Sequence, residues 1–287
     1  MRNRLTVRRA GRTAVRRLLG TARFEVLPTP SAEEQIRAHL PPGRTVTVTA
    51  SPSKGLEATL ALTERLAAQG YDVVPHLAAR MVGGMAELKE IADRLAPIGV
   101  HTVFVPGGDA QPSAGSYSSA LELLVDLAAL GRPFAHVGIT GYPESHPTIS
   151  DDLTIQSMWD KRMYATHLVS NLTFDAGAIQ AWVRRMRGRG ITMPLYLGLP
   201  GPTDRAKLLS MATKIGVGES TRFLVKNKRV FTRLAAPGGF TGERFLQECA
   251  DTIADPVALV GGLHVFTFNQ IAQAEQWRRE LVDRLSD

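Results

Sequence analysis

A closed (βα)8 barrel of the TIM type is the fold this chain predicts, and three observations carry the prediction. Short β-branched or apolar runs alternate with helical stretches eight times. Those units fill ~250 residues, the span such a barrel needs. The first apolar run ends in Pro28-Thr29-Pro30, where a doubly wound open sheet would carry a glycine turn. Two prolines in three residues cannot offer consecutive backbone N–H groups to a pyrophosphate.

The first strand covers residues 23–27 and holds one carboxylate, Glu25, among apolar neighbours. A charge there costs folding energy unless it meets water or a polar site, and on the strand alone a solvated edge glutamate is the preferred reading. Ser31 sits as N-cap of a helix to 39, with Glu33 and Glu34 in its first turn, and Pro41, Pro42 and Gly43 end it. Residues 45–49 alternate Thr and Val, a strand, and helical spacing over 56–68 closes at Gly70. The unit then recurs as strands 71–77, 102–106, 134–140, 167–174 and 194–199, followed by helices 85–95, 118–130, 155–165, 176–187 and, capped by Thr203, 203–215. Extra helices at 219–230 and 242–254 precede the last strand, 260–266, and the last helix, 270–285.

The formal net charge of +7 is concentrated in the first 20 residues. They hold seven arginines (Arg2, Arg4, Arg8, Arg9, Arg12, Arg16, Arg17) and no acid, and without them 27 basic residues face 27 acidic ones. The division is therefore an arginine-rich arm, 1–20, and a neutral barrel domain, 21–287, with no nucleic-acid or membrane partner expected. The arm reads as a solvated or surface-packed extension, and it lacks the apolar centre of a secretory signal. No apolar run is long enough to span a bilayer. The single Cys249 lies in a helical stretch, pointing to a reducing compartment and a buried, inert thiol.

Barrel enzymes assemble their sites at the carboxyl ends of the strands. Here those ends carry Glu25, Thr49, His76, Asp109, Tyr142, Glu144, His146, Asn171 and Asn269, and their shared position is a stronger signal than any one of them. In Pro106-Gly107-Gly108-Asp109 two glycines allow close backbone approach and the Asp can face a bound ring; a tight turn with Asp capping local backbone is equally consistent. His76 reads as a satisfied structural histidine or a ligand contact. No set of His, Cys and carboxylates has zinc or iron spacing, so no metal is expected. No phosphate loop, nucleophile elbow or dinucleotide glycine motif is present.

Phe24-Glu25 followed by Pro28, Val48-Thr49, Pro75-His76-Leu77, Gly108-Asp109, Tyr117-Ser118-Ser119 and the loop Gly141-Tyr142-Pro143-Glu144-Ser145-His146-Pro147 occur in this order. Ser170-Asn171-Leu172-Thr173-Phe174-Asp175 and Phe266-Thr267-Phe268-Asn269 follow. Together they resemble the methylenetetrahydrofolate reductases, from residue 23 onward and without the regulatory domain of eukaryotic members. The resemblance implies a (βα)8 barrel, and a cytoplasmic enzyme of one-carbon metabolism serving methionine biosynthesis. Its substrate would be 5,10-methylenetetrahydrofolate, reduced to 5-methyltetrahydrofolate.

By the same resemblance Glu25 is the general acid that opens the five-membered ring at N10, a task favouring a partly buried carboxyl whose pKa desolvation raises. Asp109 faces the pterin and stabilises the cation, and Asn171, in place of the family's glutamine, and Phe268 bind substrate. Thr49, His76, Gly108, Tyr117, Tyr142 and His146 fall where the family holds its flavin. The departures bear on that flavin. The family's Tyr-Gly after the second strand is Ala50-Ser51, the Arg before Gly-Asp is Gly107, and the Asp and Asn for the nucleotide half fall on Ile155 and Met158. Lys161 and Arg162 keep the basic pair. The expectation is an enzyme that takes hydride directly from NADH, without FAD. NADPH stays open, since Arg80 and Lys54 are generic partners for a 2′-phosphate. The alternatives are an FAD-dependent member with a ping-pong relay, and a non-catalytic folate-binding barrel.

Overall fold

The computed structural model describes residues 9–146, 149–202 and 241–286. The chain enters through α1 (Arg9–Gly20) and then alternates: β1 (Arg23–Val26), α2 (Ala32–His39), β2 (Thr45–Val48), α3 (Gly55–Ala68), β3 (Asp72–Pro75), α4 (Met85–Leu95), β4 (Thr102–Phe104), α5 (Ala120–Ala129). It continues with β5 (His136–Gly141), α6 (Asp151–Lys161), β6 (His167–Ser170), α7 (Ala176–Gly188), β7 (Leu195–Pro200), α8 (Gly242–Ala254), β8 (Val260–Phe266) and α9 (Ile271–Arg284). The eight strands form one sheet in the order β3-β2-β1-β8-β7-β6-β5-β4, every pair parallel. A bridge between His76 and Phe104, with the Leu77 N–H donating to the Phe104 carbonyl at 2.8 Å, draws β3 to β4 and nearly closes the barrel. The helices expected at 203–215 and 219–230 lie outside the described residues.

Strand alternation builds two interiors from one sheet. On β1, Phe24 and Val26 are buried outward against Ile36 and Leu40 after β1, Leu62 and Leu66 of α3, and Ile271 and Ala274 of α9. Burying a Phe this fully is worth about 2–3 kcal/mol. Arg23 and Glu25, on the other parity, face the lumen, which also holds Val74, Phe104 and Val169 packed with Tyr196. Glycines on neighbouring strands make room for the rings. A Cβ on Gly262 would lie 2.3 Å from the Tyr196 ring, and one on Gly138 would lie 2.7 Å from His167 Nε2.

Low in the lumen, the Arg23 guanidinium stacks 3.7 Å over the Tyr196 ring, and Nη1 donates to His167 Nε2 at 2.9 Å. His167 Nδ1–H then pairs with Thr166 Oγ1 at 3.0 Å, a chain that sets the tautomer. Burial pushes the His167 pKa down to about 3, and the Arg23 charge adds to it. Burial also lowers the Arg23 pKa, with Tyr196 and Asp72 opposing.

Part of the arginine-rich arm is the amphipathic helix α1. Val15, Leu18 and Leu19 are buried in the main core, and Arg12 donates to the carbonyls of Arg284 and Leu285 at the end of α9. One expected helix start shifts, and one expected cap makes no side-chain bond. α6 begins at Asp151 rather than 155, because Ser150 Oγ accepts the Leu153 N–H and two acids fill the first turn. Ser31 stands before α2 without a side-chain capping bond. Cys249 is fully buried, and that burial pushes its thiol up to about 12. Among the described residues, no helix is long and apolar enough to cross a membrane.

Candidate active site

The site begins with the backbone that holds Glu25. Its carbonyl accepts from Thr267 Oγ1 at 2.6 Å and from the Thr267 N–H at 3.3 Å, locking the carboxyl end of β1 to that of β8. Asn269 completes the seam. Its Oδ1 accepts from the Leu27 N–H at 2.8 Å, and its Nδ2 donates to the Leu27 carbonyl and Thr29 Oγ1. Phe268 and Asn269 both adopt left-handed backbone, with φ of 50° and 57°. That costs energy in non-glycine residues, and the stitches to β1 hold it. Asn269 is therefore a clamp between two strands.

Above this seam the Glu25 side chain is 16% exposed, between buried lumen walls and the open end. Oε2 lies 2.9 Å from His264 Nε2 and 3.7 Å from His76 Nε2. Burial pushes the His76 pKa down to about 4, against the pull of Glu25 and with help from His264. His76 is therefore neutral at pH 7, and its contact with Glu25 is not an ion pair. The lumen here keeps polar atoms without hydrogen-bond partners among the described residues: Thr47 Oγ1, Thr49 Oγ1, His76 Nε2 and His264 Nδ1. Unmet polar groups are costly in a dry interior. Thr47 of β2 pairs with Glu25 in the strand register, and Thr49 follows just past the end of β2.

The remaining expected residues divide by what they touch. Asn171 follows β6, half-buried, its Oδ1 accepting the Leu172 N–H at 2.8 Å, which orients the amide. Asp109 is half-buried in the loop after β4. Gly108 before it has φ +85°, and a Cβ there would meet Ala78 Cβ at 2.9 Å, so its first need is packing against the β3 loop. Tyr142 and His146 meet edge to face at 4.8 Å. Between them Glu144 Oε1 accepts the N–H groups of Phe174 at 2.8 Å and Asp175 at 2.7 Å, tying the β5 loop to the start of α7.

Tyr117 stands apart from this group. Its ring is buried in the core, and its hydroxyl donates to Asp126 of α5 at 2.7 Å, with burial raising its pKa. The hydroxyl is engaged within the fold. Conversely, His264 and Arg23 belong to the lumen cluster but were not expected there. The signal for Arg23 was its place two residues before Glu25, which puts both on one face of β1.

Fold and site together define a (βα)8 barrel whose mouth presents one carboxyl flanked by two buried histidines. A family model described as methylenetetrahydrofolate reductase matches residues 31–276, most of the chain, and the protein belongs to that family. Asp109, Asn171 and Phe268 lie inside the matched residues, while Glu25 precedes them. Among solved structures, oxaloacetate acetylhydrolase superposes with a TM-score of 0.52 at 13% identity, covering 97% of this chain and 88% of that one. A 2,3-dimethylmalate lyase follows at 0.45 and 13% identity, covering 84% and 94%. The first of these is a likeness of fold alone.

Proposed function

We propose that this protein reduces 5,10-methylenetetrahydrofolate to 5-methyltetrahydrofolate with hydride taken directly from NADH. The observation that carries the reading is Glu25, set by a β1–β8 seam at the barrel mouth of a chain in the methylenetetrahydrofolate reductase family. Glu25 gives a proton to N10 as the bond from the bridging carbon to N10 breaks, leaving an iminium at N5. Hydride from NADH then adds to that carbon. One proton and one hydride are consumed, and NAD+ leaves. Asp109 places negative charge against the cationic pterin, and Asn171 and Phe268 hold it. Thr49, His76, Gly108, Tyr142 and His146 line the hydride donor.

The direct route is supported by the positions that would carry a flavin's nucleotide half. Ile155 and Met158 are 1% and 2% exposed and packed in the hydrophobic core, so neither offers a polar group. Ser51 is spent on Ser53 at 3.0 Å, and the Arg162 guanidinium stacks on Trp159 at 3.7 Å. These residues do not fit FAD, and no step here runs through it.

The test is Glu25→Gln. A general acid contributes about 10²–10⁴-fold to rate, so turnover should fall by at least ~100-fold while folate binding, measured by titration calorimetry, stays within a few-fold. Native turnover in that variant would remove Glu25 from the mechanism.

A further inference from the structure

We infer that His264 is a positioning residue, its Nε2–H holding Glu25 Oε2 so that the acid proton is carried and delivered by Oε1. The inference rests on the acid role proposed for Glu25 and adds the residue that orients it. His264 lies on β8 beside Arg23 in the strand register and reaches diagonally to Glu25 Oε2 at 2.9 Å. It is 2% exposed, and the Phe266 ring packs against it at 4.9 Å, tilted 66°, which fixes its plane. A polar ring this buried costs more than an aliphatic side chain unless its hydrogen bond is used.

The other ring nitrogen decides the direction of that bond. Nδ1 is buried with no hydrogen-bond partner among the described residues. A proton on Nδ1 would strand an N–H donor in the interior, and orphaned buried donors are rare. The proton therefore sits on Nε2, which donates to Glu25. With Oε2 engaged as acceptor, a neutral Glu25 carries its proton on Oε1. His76 Nε2, 3.7 Å from the same Oε2, is beyond hydrogen-bond range and does not compete. When Glu25 gives up its proton, the same Nε2–H remains on the carboxylate.

The experiment compares three variants of the full chain in steady-state kinetics with methylenetetrahydrofolate and NADH, each checked for folding by thermal melting. His264→Leu removes the donor and should lower kcat at least 10-fold with KM for the folate within about twofold. His264→Gln returns an N–H donor at the Nε2 position and should recover kcat to within a few-fold of native. If the Leu variant does not fold, His264→Asn serves instead, its shorter amide falling short of Glu25. Native kcat in the Leu or Asn variant, or a Gln variant as slow as Leu, would overturn the inference. Glu25→Gln is run alongside. Native turnover there overturns the acid role and this inference together, whereas loss of turnover there with an indifferent His264 overturns this inference alone.

Discussion

Lowering the pH from 7 to 5 should destabilise this barrel through two lumen histidines. In the unfolded chain both titrate near 6.5. Folded, burial holds His76 at about 4 and His167 at about 3. Between pH 6.5 and those values the unfolded chain binds more protons than the folded one, so stability falls as pH falls. Each histidine costs about 1.4 kcal/mol per pH unit across that window, hence about 2 kcal/mol at pH 5 and about 4 kcal/mol for the pair. That is a large part of the 5–15 kcal/mol typical of a folded domain. Equilibrium urea unfolding at pH 7, 6 and 5, followed by tryptophan fluorescence, measures it; Trp182, 1% exposed, is a buried reporter. His167→Gln should shrink the loss between pH 7 and 5 by about 2 kcal/mol. No loss over that range, or the same loss in the variant, would refute the assignment of these histidines as buried and neutral.

Two further predictions separate fold from function. Tyr117→Phe should cost about 1–2 kcal/mol by removing the hydroxyl's bond to Asp126, seen as a lower Tm, with kcat and both KM values unchanged within twofold. Gly262→Ala places a methyl 2.3 Å from the Tyr196 ring and should destabilise by about 1–3 kcal/mol, again read as Tm. An unshifted Tm would mean that the Arg23–Tyr196 stack tolerates displacement.

The strands were legible because each is a short apolar or β-branched run, and all eight appear where the pattern places them. Glu25 was legible too, as the carboxylate inside the first such run. The lumen cluster was not. Arg23, His167, Tyr196 and His264 come from four strands distant in sequence, and only the closed sheet brings them together. The arm was read by charge, which hid the spacing of Val15, Leu18 and Leu19 that seats α1 on the core. Tyr117 was read from its resemblance to a family motif. Locally it stands just before a helix start, where Glu122 accepts the N–H groups of Ser118 and Ser119, and its ring turns into the core. Asn269 looked like one more polar residue at a strand end, but its amide pairs with the backbone of the neighbouring strand.

Direct hydride transfer is tested most sharply by isotope. With NADH deuterated stereospecifically at C4 and the reaction run in ordinary water, one of the two labelled forms should deliver a single deuterium into the methyl group of 5-methyltetrahydrofolate. Protein of known flavin content is used. A reduced flavin exchanges its N5 hydrogen with solvent, so a relay would dilute or erase the label. Full retention on flavin-free protein is the predicted result; label lost to water, or turnover only after FAD is added, would contradict it.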